Sequence, residues 1–111
     1  MTVTATVLIP AKIAEAAQTT QYISTGVTTL IDKFTATNYS AVAATLSVNL
    51  VTTTTIAGNL NLITKTKTLQ PAEVYTFPEL VGQTLAAGDF ISTIAGTAAS
   101  INIRASGRVV T

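Results

Sequence analysis

The chain has 111 residues, a formal net charge of +1, no histidine, cysteine or tryptophan, and only 10% charged residues. These absences exclude thiolate metal sites, disulfide frameworks and triads built on histidine. The charge balance lacks the dense basic face that neutralises nucleic-acid phosphates.

The length predicts one domain over residues 1–111, held together by packing and hydrogen bonds. Residues 2–9 form the first strand candidate, and no positively charged start precedes them, which disfavours a secretory leader. The alanine-rich stretch 11–18, with Lys12 and Glu15 three apart, has helical propensity but is too short to be stable alone. A brief helix and an extended arm both remain open there, so residues 1–20 are a possible N-terminal arm.

Strand candidates follow at 21–25 and 28–37, and Asn38-Tyr39-Ser40 reads as a turn although it matches a glycosylation acceptor. Leu46, Val48 and Leu50 then alternate with Thr45, Ser47 and Asn49, which puts the aliphatic side chains on one face and the polar ones on the other. The threonine run 52–55 and Gly58-Asn59 predict a loop. Further strands are expected at 60–68, 73–77 and 90–95. Ile101, Ile103 and Ala105 alternate with Ser100, Asn102 and Arg104, after which Ser106-Gly107 reads as a glycine-permitted bend before a short tail at 108–111. Threonine favours all of these strands because its β-branch fits the pleat. About eight strands at such spacing fit a jelly roll or a comparable Greek-key sandwich, and the fold class expected is an all-β, jelly-roll-like antiparallel β-sandwich.

Chemistry is sparse. Glu73 and Glu79 read as solvated charges at strand ends rather than an acid–base pair. Asp32, Asp89 and Asn59 offer hard oxygen ligands but no dense aspartate loop. Lys65 and Lys67 read as a solvated strand face or a guarded sheet edge, and Phe34, Phe77 and Phe90 as core. No catalytic, metal-binding or cofactor-binding residues are assigned, and no small-molecule substrate is expected. No run of apolar residues is long enough to make a membrane-spanning helix. With so few charges, the surface must expose threonine, asparagine and apolar atoms, and such surfaces mark proteins that assemble.

The segments 31–38, 69–83, 85–91 and 104–108 carry the phrases Asp32-Lys33-Phe34-Thr35, Gln70-Pro71-Ala72-Glu73, Ala87-Gly88-Asp89-Phe90 and Arg104-Ala105-Ser106-Gly107. Through them the chain resembles the capsid decoration (staple or cement) proteins of tailed phages, most of all those of epsilon15-like short-tailed phages. The resemblance covers residues 26–111. It implies a jelly-roll-like fold, no catalysis, and a virion protein made in the host cytoplasm that sits on the outer surface of an icosahedral shell. The implied partners are the major capsid protein and a second copy of the chain in a homodimer, with no nucleic acid and no membrane. The contacts expected are Thr2, Val3, Val7 and Ile9 in the arm, Tyr22, Tyr39, and Thr53, Thr54, Ile56 and Asn59 in the loop. A carbohydrate- or receptor-binding module of a phage tail or surface appendage is the alternative, disfavoured by the scarcity of aromatic rings for stacking on sugars.

Overall fold

The computed structural model describes all of residues 1–111. Nine strands follow in order: β1 (Val3–Ile13), β2 (Thr19–Ile23), β3 (Thr28–Asn38), β4 (Ala44–Val51), β5 (Leu62–Leu69), β6 (Val74–Tyr75), β7 (Thr84–Leu85), β8 (Phe90–Ala95) and β9 (Ile101–Val110). A single 3-10 turn at Asn59–Asn61 is the only helical element. One sheet has the order β1-β9-β3-β6, with β7 also beside β3, and the other has the order β2-β8-β4-β5. Every pairing is antiparallel. Because β6 and β7 are two pieces of one interrupted edge, the fold has eight strand positions. The chain changes sheet at every other connection except β4–β5, which is the winding of a jelly roll.

The two sheets close over one apolar core. Phe34, Phe77, Ile9, Ile31, Leu46, Leu69, Ile91 and Ile103 are all fully buried in it. The Phe77 ring meets Phe34 edge-on at 4.9 Å and Tyr75 at 4.6 Å, so one aromatic side chain ties β3 to β6. Edge-to-face contact suits the ring quadrupoles and adds to the area buried. The alternation expected for β9 is present, with Ile101, Ile103 and Ala105 buried.

Several expectations are corrected. Residues 11–18 form neither a helix nor a free arm: β1 runs on to Ile13, and Ala14 then donates its N–H to the Ile101 carbonyl at 2.8 Å. Pairing along β9 satisfies this backbone, an outcome that weak alanine propensity cannot override. Ile9, expected on an interface, is core. The register of β1 against β9 shifts between Val7 and Ile9, and consecutive Leu8 and Ile9 are both buried as a result.

At Ser106-Gly107 no bend occurs, and β9 passes straight through to Val110. A side chain at Gly107 would run into the Leu30 carbonyl oxygen of β3, so glycine serves close strand approach there rather than a turn. The strand expected at 73–77 shrinks to two residues because Phe77 takes a φ of 36°, which turns the chain. Phe90 is half-buried rather than core, and on β4 Leu50 is half-buried while Asn49 is 3% exposed.

Turns 14–18, 39–43, 70–73 and 96–100 share one end of the sandwich, where Tyr39 N–H donates to Ser100 O and Asn38 N–H to Glu73 O. Turns 24–27, 52–61 and 86–89 share the other, where Ser24 N–H donates to Asp89 O.

Candidate interaction surface

The most exposed large apolar side chains after Met1 are Leu60, at 103%, and Ile56, at 84%, and both stand on the loop 52–61. This segment has no charged residue. It is nonetheless tied down from the polar side. Asn49 Nδ2, reaching out from β4, donates to Asn61 Oδ1 at 2.8 Å and to Gly58 O at 3.0 Å. Asn61 Nδ2 in turn donates to Ile56 O at 2.9 Å, while its Oδ1 also accepts from Gly58 N–H at 3.0 Å. At the start of the loop, Asp89 accepts from Thr53 N–H with one oxygen and from Ala86 N–H with the other, both at 3.0 Å. These bonds satisfy the backbone groups of an irregular segment. The loop encloses an open groove of about 560 Å³ between Thr52 and Asn61.

Ionised groups are few, and two ion pairs join four of them. Arg108 grips Asp32 through Nε and Nη2 across β9 and β3, which holds the guanidinium above its ordinary range. Glu15 accepts from Gln21 and Lys12, both at 2.9 Å, and these bonds hold its carboxyl below the usual value. Glu79, read as a solvated strand-end charge, instead accepts from Thr64 of β5 at 2.5 Å and from Tyr75 of β6 at 2.9 Å. Burial pushes its carboxyl up most strongly, but the hydrogen bonds from Thr64 and Tyr75, with Lys67 nearby, outweigh it and bring the net position below 4.5. The same bond to Glu79 raises the Tyr75 hydroxyl, and Lys67 Nζ lies 4.4 Å above the Tyr75 ring. One carboxylate thus joins the edges of the two sheets.

The expected contact residues fall in three places. Thr53, Thr54, Ile56 and Asn59 come together on the exposed loop. Thr2, Val3 and Val7 are exposed on the free edge at β1, whose N-terminal half points to the same end of the sandwich. Tyr39, half-exposed, stands at the opposite end beside Val42. Tyr22 faces inward: its ring packs on the core and its hydroxyl lies 2.8 Å from Thr29 Oγ1.

Leu60 was not among the expected contacts, because as the first residue of an apolar stretch it reads as strand; the turn at Asn59–Asn61 releases it to solvent. No three His, Cys, Asp or Glu side chains lie close enough to hold a metal ion. Asp32 and Asp89 are engaged by different partners, Arg108 and the loop amides.

The chain matches no family model, and no curated protein or solved structure is significantly similar to it.

Proposed function

We propose that this chain is a structural protein of a tailed-phage particle. It seats as a homodimer on the outer surface of an icosahedral capsid and staples neighbouring major capsid proteins. The observation that carries this reading is the loop 52–61, clasped by side-chain amides and yet presenting Ile56 and Leu60 to solvent. An apolar tip held in one shape is suited to being covered, since exposed apolar patches on soluble proteins mark interaction sites.

The absence of charge on the loop supports the same use. Burying threonine and leucine at a contact costs little, whereas an unpaired charge buried there costs several kcal/mol. Weak contacts of this kind suffice when many copies act on one shell. A sugar-binding surface would need several exposed rings, and of the three tyrosines Tyr22 and Tyr75 have engaged hydroxyls and rings packed on the core.

The test is add-back to virions of the encoding phage that have been stripped of the chain. Wild-type chain raises the temperature at which particles disrupt. The Ile56→Asp, Leu60→Asp double variant, whose own melting temperature is unchanged, does not. Equal stability of stripped and decorated particles rejects the reading.

A further inference from the structure

A sheet edge exposes main-chain donors and acceptors that can pair with another strand, and proteins normally guard such edges with charge, proline, bulges or brevity. Three of the four edges here are guarded. β5 carries Lys65 and Lys67 and is bulged at Thr66, whose φ is 53°. β2 has five residues and a register shift, and β6 and β7 have two residues each. β1 has eleven residues, and its two register shifts, Pro10 and Lys12 all lie beyond Val7, so the stretch Val3 to Val7 alone is an unguarded edge.

Its sequence has a further property. Val3-Thr4-Ala5-Thr6-Val7 reads the same in both directions. Thr2 and Thr111 exchange both backbone hydrogen bonds, so Thr2, Thr4 and Thr6 turn their main-chain groups toward β9. Val3, Ala5 and Val7 therefore turn theirs toward the free side, an alternation that holds up to the register shift after Val7.

We propose that β1 pairs with β1 of a second copy about a two-fold axis at Ala5, joining the two β1-β9-β3-β6 sheets into one. This rests on the homodimer reading above and names its contact. With the axis there, the outward N–H and C=O groups of Val3, Ala5 and Val7 meet those of Val7, Ala5 and Val3 in the second copy. Side chains match as well as backbone: valine lies opposite valine on one face and threonine opposite threonine on the other. β-branched cross-strand pairs are favourable, and no like charges meet. Val3 and Val7, 53% and 46% exposed, are covered. Pro10, which has no N–H to donate, lies beyond the paired stretch.

Sedimentation equilibrium of the full chain tests this. Wild type dimerises as its concentration rises. Ala5→Pro removes an N–H that faces away from β9, so the monomer loses no ladder bond and keeps its melting temperature. Self-association weakens at least about tenfold, because the outward bonds at the axis are lost from both copies.

Cysteine variants read the register separately, the chain having no cysteine of its own. On mild oxidation Ala5→Cys cross-links alone, whereas Val3→Cys and Val7→Cys cross-link more when mixed than either does by itself. A monomeric wild type, an Ala5→Pro chain that dimerises as tightly as wild type, or cross-linking without register preference overturns the proposal. So does loss of capsid retention by Ala5→Pro with self-association intact, which would assign the edge to a strand of the capsid protein. Failure of the stapling reading is distinct: decorated and stripped particles are then equally stable while the β1 dimer persists.

Discussion

Asn49 and Asn61, twelve positions apart, meet carboxamide to carboxamide at 2.8 Å, and through this bond a central strand sets the shape of the most exposed loop. Asn49 is 3% exposed, so its polar atoms have little access to water once a partner is removed. Asn49→Ala deletes the two bonds to Gly58 O and Asn61 Oδ1, each with a net contribution of about 0.5–1.5 kcal/mol, and should lower stability by about 1–3 kcal/mol. Urea unfolding measures that loss, and faster proteolysis within residues 52–61 locates it. Asn61→Ala, at the exposed side of the clasp, should free the loop at a smaller global cost.

Phe77 carries the aromatic contacts to both Phe34 and Tyr75 and is fully buried. Phe77→Ala should cost about 3–5 kcal/mol, through lost transfer energy and the cavity left between the sheets. Calorimetric melting checks this, with Phe77→Leu expected to recover part of the loss.

The glycines divide by what surrounds them. A methyl group at Gly107 meets the Leu30 carbonyl oxygen and the Leu8 side chain, and the former is backbone that cannot rotate away. Gly107→Ala should therefore separate β9 from β3 locally and destabilise by about 1–3 kcal/mol or more. Gly58 has extended backbone and nothing within 4 Å of an added Cβ. Gly58→Ala should leave the melting temperature unchanged, which makes the pair an internal control.

Glu79 and Glu15 are both held below the ordinary glutamate value of 4.5 in the folded chain. A depressed carboxyl contributes stability that is fully present above the unfolded value and is lost as pH falls through the folded one. Stability should be level near neutrality and decline progressively below about pH 4.5. Glu79→Gln keeps a hydrogen-bonding side chain but cannot titrate, so its denaturation midpoint should fall less steeply with acid than that of wild type. Melts collected across that range decide it.

Much of the architecture is legible in the chain. Period-two alternation reveals Ile101, Ile103 and Ala105 as one buried face, and Phe90–Ala95 begins and ends where its flanking glycines place it. The misreadings arise where partners far away in sequence change the local rule. A register shift opposite Ala105 breaks the parity of β1 and buries Ile9. Gly107 looks like a bend because the Leu30 backbone that requires it lies on another strand. Residues 52–59 are recognisable as a loop from their threonines and Gly58, but Leu60 and Asn61 read as strand, and the clasp is hidden because the alternation of β4 assigns Asn49 to a solvated face. A compact turn covers that face and makes the asparagine a buried anchor.

The pairing of β1 with β9 joins Val3 to Val110, partners separated by almost the whole chain. Closing so long a loop has an entropic cost before any ladder bond forms. The only sheet neighbour of β1 is β9, so β1 cannot pair until β9 has left the ribosome, and folding should take on the order of milliseconds to seconds, as in other folds dominated by distant pairings. Until then β1 has no neighbour on either side, and the nascent chain carries both of its edges open.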